Sequence, residues 1–296
     1  MNLPFVQLDV FTPAAFSGNP LAVVFDADAL DSARMQSIAA WLGLSETTFV
    51  LRPSEASADY RLRIFTPGGE LPFAGHPTLG TCAAWLQRGG VPAQAEVVMQ
   101  QSAIGLVAVQ RQSFGEANST AQRLAFAAPP MHPESIDPPL LAQVCMALGL
   151  APAQLRASAW LDNGPRWLAL WLDAAATVLA LEPDHAALKR LGVKVGVAGP
   201  QAAGHDAAIE VRAFVALVGV LEDPVTGSLN ASLAQWLISK GELPPHYVAA
   251  QGSRLGRSGR VHLRQDAQGQ VWVGGDVHCL LQGEINVAAM ATRVGK

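Results

Sequence analysis

Leu71-Pro72-Phe73-Ala74-Gly75-His76-Pro77-Thr78-Leu79-Gly80-Thr81-Cys82-Ala83-Ala84-Trp85-Leu86 reads as a turn followed by a helix. From Pro72 through Gln87 it carries no charged side chain except His76 when protonated. A helix on a protein surface shows a polar face. This one is small or apolar all round, so it is expected to be buried at the centre of a domain. Pro77 suits the first helical position, and Gly89-Gly90 suits the stop. The start at Gly75-His76-Pro77-Thr78 presents free N–H groups and the positive end of the helix dipole, an arrangement that attracts anions.

The same device returns later. Glu222-Asp223-Pro224-Val225-Thr226-Gly227-Ser228 leads into an uncharged helix, Leu229 to Leu237, followed by Lys240-Gly241. Setting Trp85-Leu86 on Trp236-Leu237 gives a shift of about half the chain. Upstream, Leu62-Arg63-Ile64-Phe65 then falls close to Val211-Arg212-Ala213-Phe214. The chain therefore reads as two copies of one fold, with Trp85 and Trp236 superposing and both helix starts aimed at a shared site.

The length of 296 residues suits about two domains. Half the residues are hydrophobic and only 15% are charged, which favours a large core and excludes extensive disorder. A net charge of −4 argues against a nucleic-acid partner held by phosphate contacts. The densest basic stretch, Arg254, Arg257, Arg260 and Arg264, lies in a Gly-rich segment that reads as a hairpin rather than a phosphate loop. Cys82, Cys145 and Cys279 are odd in number and lack a CxxC spacing, so neither a disulfide framework nor a structural zinc is expected. No signal peptide and no apolar run of membrane-spanning length is read. These features together lead to the expectation of a soluble cytoplasmic protein.

Strands are expected at Phe5 to Phe11, Leu21 to Phe25, Ser45 to Val50, Asp59 to Phe65, and within Glu96 to Gln110 and Gln122 to Phe126. Asp31 caps a helix ending at Gly43. The proline-rich run Pro129 to Pro139 reads as the inter-domain connection, and a short helix follows to Leu148. Strands then return at Leu155 to Leu161, Trp167 to Leu172 and Ile209 to Val215, with three more between Val248 and Val277. Asp184 caps a helix that stops near Gly192. Strands outnumber helices and do not alternate with them, so Rossmann and TIM architectures fit poorly. The expected class is α+β, each half a curved antiparallel sheet wrapped round one buried helix.

Candidate chemistry is asymmetric between the halves. Glu46 follows a helix stop, and the position three residues past Gly192 in the second half is Val195. Glu46 is either a solvated strand-end carboxylate or one whose pKa is raised in a cleft for acid/base work. His76, at a helix N-terminus, is either a neutral hydrogen-bond donor or a satisfied structural histidine. Asp223 is either a helix cap or a site residue. Gly227 and Ser228 either hold a carboxylate on their N–H groups or form a structural turn. The other histidines show no ligand spacing, and no HExxH, G-x-S-x-G, P-loop or dinucleotide fingerprint is present.

Phe16-Ser17-Gly18-Asn19-Pro20, Ser45-Glu46-Thr47-Thr48-Phe49, Phe65-Thr66-Pro67, Glu70-Leu71-Pro72-Phe73-Ala74-Gly75-His76-Pro77-Thr78 and Glu222-Asp223-Pro224-Val225-Thr226-Gly227-Ser228 resemble, in order, the phenazine-biosynthesis PhzF-like family. The resemblance covers nearly the whole chain. It implies the diaminopimelate epimerase fold: domains at about 1–125 and 126–280, the tail 281–296 packing back on the first, and a site between them. It also implies an isomerase without cofactor or metal that moves a proton within a small carboxylate-bearing substrate. In that reading Glu46 is the general acid/base and His76 and Asp223 are its catalytic companions. Asn19, Gly75, Gly227 and Ser228 bind the substrate, and the protein is a homodimer with no membrane partner. Leu229-Asn230 stands where many relatives have a histidine, which leaves the substrate open. The alternatives are an amino-acid racemase or epimerase, and a binding protein that kept the pocket. A racemase using two thiols is disfavoured, because the helix starts carry His76 and Ser228 and Cys82 lies inside the helix.

Overall fold

The computed structural model describes residues 1–112 and 122–288. Its first half contains β1 (Asn2–Val10), β2 (Asn19–Val24), α1 (Ser32–Leu42), β3 (Glu46–Leu51), β4 (Tyr60–Thr66), β5 (Gly69–Leu71), α2 (Gly75–Gln87), β6 (Val97–Ser102), β7 (Gly105–Gln112) and β8 (Gln122–Ala127). The second half contains β9 (His132–Glu134), α3 (Pro138–Leu148), β10 (Leu155–Asp162), β11 (Arg166–Leu172), α4 (Ala175–Ala180), α5 (His185–Leu191) and β12 (Val195–Pro200). It continues with β13 (Ile209–Phe214), β14 (Glu222–Asp223), α6 (Gly227–Ser239), β15 (His246–Gln251), β16 (Gly259–Gln265) and β17 (Val271–Asn286).

Local rules account for most boundaries. Asp31 accepts from the Arg34 N–H to start α1, and Gly43 ends it at φ 67. Asp184 caps α5 in the same way, through the Ala187 N–H, and Gly192 stops it. The Pro-rich run is more than a connection. His132–Glu134 pairs with β10, and Pro138 opens α3. Proline is tolerated there because β9 is a short strand with one hydrogen-bonded neighbour, and Pro138 needs no N–H partner at a helix start. Pro77 is not the first residue of α2, since Gly75 and His76 precede it. It still falls in the first turn, where the missing N–H costs nothing.

In the first half the order β1–β2–β3–β4–β6–β7–β8–β17 closes on itself through β17 and β1 as an eight-stranded barrel. The second half follows the same plan, from β10 through β11, β12, β13, β15 and β16 to β17. The sheets are not purely antiparallel. β2–β3 and β4–β6 are parallel, as are their counterparts β11–β12 and β13–β15, because a helix crosses between the members of each pair.

The sequence reading keeps the two sheets apart, but the structure joins the 17 strands of the described residues in one hydrogen-bonded sheet. Two segments pass from half to half. β17 pairs with β16 and β8 near its start, then with β1 from Val277 to Asn286. The segment 122–134 does the converse, with β8 on β7 and β9 on β10. Of the expected tail, residues 289–296 lie outside the described residues.

Each central helix is enclosed as its composition requires. Every residue of α2 from Gly75 to Ala84 is buried, and so is every residue of α6 from Gly227 to Ala234. Leu79 and Leu229 have no exposed surface. A leucine so placed contributes about 1.5–3 kcal/mol by burial. One core runs through both barrels, while α1 covers the outside of the first half and α3 and α5 cover the outside of the second.

The Trp-Leu alignment is displaced by one residue. Both central helices have 13 residues, yet Trp85 falls one position later in α2 than Trp236 does in α6. Aligning the helix starts, Gly75 on Gly227, is the register the structure supports.

Candidate active site

The starts of α2 and α6 abut. A Cβ on Gly75 would lie 2.6 Å from the Gly227 Cα, and one on Gly227 would lie 2.8 Å from the Gly75 Cα. Glycine at both positions is what lets the two backbones meet. Neither helix has a side-chain cap. The Gly75, His76, Gly227 and Ser228 N–H groups therefore have no carbonyl of their own helix. They open on a cleft of about 560 Å³, its mouth included, lined by Glu46, Leu71, Gly75, His76, Trp167, Lys194, Asp223, Gly227 and Ser228 among others.

Asn19 anchors the polar network from behind. Its Nδ2 lies 2.9 Å from Asp223 Oδ1, 2.9 Å from the Val225 carbonyl and 3.2 Å from His76 Nδ1. With a donor facing Nδ1, the imidazole hydrogen is assigned to Nε2. That atom lies 3.3 Å from Glu46 Oε2. Among the described residues, both Nε2 and Oε2 are buried without a hydrogen-bond partner. Buried polar atoms are seldom left so, and these two face the cleft.

Burial sets the titration of all three groups. It pushes the His76 pKa down to about 3, so the ring is neutral. The cause of the neutral ring is desolvation. Burial, and then the neighbouring Asp223 charge, raises Glu46 well above the ordinary carboxylate range, with Lys194 acting in the opposite direction. Asp223 rises to about 6 by burial, held back by hydrogen bonds from Thr226, Asn19 and Ser45. Its Oδ2 accepts from Thr226 Oγ1 at 2.6 Å. It receives no helix N–H, so the cap reading of Asp223 is set aside.

The structure thus brings Glu46, His76, Asp223, Gly75, Gly227 and Ser228 to one cleft, with Asn19 directly behind them. Sequence reading missed Lys194 and Trp167. The Trp167 indole N–H donates to Ser228 Oγ at 3.3 Å, and the Lys194 ammonium lies 5.1 Å from the centre of the Trp167 ring.

Counting from the helix stops makes Val195 the mate of Glu46, and strand geometry corrects this. In β3, Thr48 faces inward and accepts from Thr81 of α2 at 2.9 Å, so Glu46, two residues earlier, faces inward too. In β12, Gly196 is the residue that faces Leu229 of α6, whereas Val195 and Val197 pack outward. Lys194 is therefore the inward mate of Glu46. The ladders agree, since Thr47 pairs with Phe65 and Val195 with Phe214. The available signal was a lone cation in the apolar run Gly192-Val193-Lys194-Val195-Gly196.

Cys82 sits inside α2, its thiol raised far above the ordinary range by burial. Among the described residues no cluster of His, Cys, Asp and Glu could hold a metal ion. The basic stretch is engaged elsewhere. Arg254 binds Glu182, Arg257 binds the Phe16 carbonyl, Arg260 binds Asp206 and Arg264 binds Gln110.

The family model described as phenazine biosynthesis-like protein matches residues 8–283. A Pseudomonas aeruginosa protein named trans-2,3-dihydro-3-hydroxyanthranilate isomerase is 36% identical, over 90% of this chain and 91% of that one. A fission yeast (Schizosaccharomyces pombe) protein named antisense-enhancing sequence 1 is 35% identical, over 95% and 97%. The solved structure of a predicted epimerase from Pseudomonas aeruginosa superposes with a TM-score of 0.79 at 29% identity, covering 96% of this chain and 99% of that one. The chain belongs to the phenazine biosynthesis-like (PhzC-PhzF) family and is by class an isomerase.

Proposed function

We propose that this protein moves a proton from one carbon to another within a small carboxylate-bearing molecule, in the cleft between the halves and without a cofactor. Glu46, as carboxylate, takes the proton from the first carbon. The electron pair left behind delocalises through the substrate, and Glu46 returns the proton at a second carbon. One carboxyl group with a raised pKa can serve as base and then as acid. The His76 Nε2–H and the N–H groups at the start of α2 meet the negative charge that builds up between these steps. Asp223 and Asn19 fix the imidazole and its tautomer. The observation that carries this reading is the buried pair at 3.3 Å, Glu46 Oε2 and His76 Nε2, neither of which has a hydrogen-bond partner among the described residues and both of which face the cleft.

The Pseudomonas relative's name suggests trans-2,3-dihydro-3-hydroxyanthranilate as the first compound to try. Incubated with it in D2O after dialysis against a chelator, the protein is expected to give an isomer carrying deuterium at the new C–H. An isomer formed only after a metal or an organic cofactor is restored would overturn the cofactor-free reading. Inversion at a single centre, with no shift of unsaturation, would move the protein to the racemases and epimerases.

A further inference from the structure

Lys194 is a half-buried cation on the wall of the cleft, at the position that matches Glu46 in the other half. Its backbone is fixed, because the Lys194 carbonyl accepts from the Leu168 N–H at 2.9 Å. Among the described residues its ammonium has no hydrogen-bond or ion-pair partner, and its contact is the face of Trp167. Of the nearby carboxylates, Asp162 is exposed and already accepts from the Gly164 N–H at 2.9 Å, and Glu46 belongs to the opposite half. Burial lowers the Lys194 pKa, with Asp162 and Glu46 acting the other way. A desolvated ammonium without an anion is costly to keep. Trp167 links it to the start of α6, since the same indole donates to Ser228 Oγ. Next to that bond, the buried Asn163 holds the Ser228 carbonyl at 2.9 Å, which fixes the first turn.

We propose that Lys194 supplies the counter-charge for the substrate's carboxylate, seated between its ammonium and the N–H groups that open α6, and so selects free acids over their esters and amides. This rests on the cleft being the active site, but it does not depend on Glu46 moving the proton. The substrate class is then an acid small enough for the cleft, with its carboxylate on the second half and its reacting carbons facing Glu46 and His76 on the first.

The test is calorimetric binding of benzoate, anthranilate and 3-hydroxyanthranilate, each beside its methyl ester, to the full chain. Lys194→Met is expected to weaken acid binding by about 30-fold or more, as for loss of one partner of a buried charge pair. Ester binding should change by less than about threefold, and Lys194→Arg should keep the preference for acids. Equal losses for acids and esters would reduce Lys194 to a structural role and overturn the proposal. So would unchanged acid binding in Lys194→Met, or failure of the unmodified protein to bind any of the three acids at millimolar concentration. The acid-over-ester preference and its loss in Lys194→Met are read from binding alone, so a failed proton-transfer mechanism would leave this result standing.

Discussion

In the first half, the positions that face the cleft from equivalent places in the fold are Glu46, Leu71 and His76. In the second half they are Lys194, Asp223 and Ser228. The strand ladders match Leu71 with Asp223, since Phe65 pairs with Glu70 as Phe214 pairs with Glu222. The helix starts match His76 with Ser228. At each place one half is acidic, apolar or aromatic where the other is basic, acidic or a small hydroxyl. A repeated frame has thus produced a cleft with unlike walls. One wall offers a carboxylate beside a neutral imidazole, the other an ammonium beside a helix start. In the mechanism proposed here the first wall moves the proton and the second holds the charge.

If that division is right, Glu46→Gln should be the most damaging change to turnover, lowering kcat by about 10²–10⁴-fold. The scaffold offers the next comparison. Arg212 and Glu222 form a buried ion pair at 2.8 Å, and the Arg212 guanidinium also donates to the Val178 and Leu181 carbonyls. Glu222→Gln leaves that guanidinium short of a counter-charge and should cost about 3–5 kcal/mol by urea denaturation. Gly75→Ala should follow at about 1–3 kcal/mol, because its Cβ would press on the backbone of Gly227. Glu70→Gln breaks the matching pair of the first half, Arg63 with Glu70 at 2.6 Å, which lies nearer solvent. It should cost less than about 1 kcal/mol. Equal costs for Glu222→Gln and Glu70→Gln would erase the contrast between the two scaffolds.

A further contrast lies in the pH dependence of stability. His76 is shifted down from 6.5 to about 3, so the folded chain binds fewer protons there than the unfolded one. Its contribution is lost as pH falls through that window. Asp223 is shifted up from 3.8 to about 6, so its contribution is lost as pH rises through its own window. The two slopes oppose each other. Asp223→Asn should therefore make stability rise more steeply between about pH 4 and 6 than in the unmodified protein, as read from denaturation midpoints across that range. An unchanged slope would mean that Asp223 is not raised.

Much of the frame was legible because burial leaves a compositional trace. Two uncharged helices with glycine stops read as central, and their starts at Gly75-His76 and Gly227-Ser228 pointed to a shared site. The motifs around Asn19, Glu46, His76 and Asp223 fell on one site. What escaped was register. A strand repeats every two residues, so counting from Gly192 to Val195 missed by one and placed an outward valine where Lys194 faces inward. A helix of small residues likewise gave no internal mark to show that Trp85 and Trp236 are not equivalent. The joining of the sheets by β17 depends on pairings between residues far apart, such as Leu3 with Ile285. Local pattern carries no trace of those.

Loss of a C–H signal from the bound isomer in D2O, followed by proton NMR, tests the division of labour most directly. The unmodified protein should wash the signal out, because Glu46 takes that proton and exchanges it with solvent. Glu46→Gln should bind the same molecule and leave the signal intact over the same interval. Exchange at the unmodified rate in Glu46→Gln would contradict the account and give the proton to another group of the cleft.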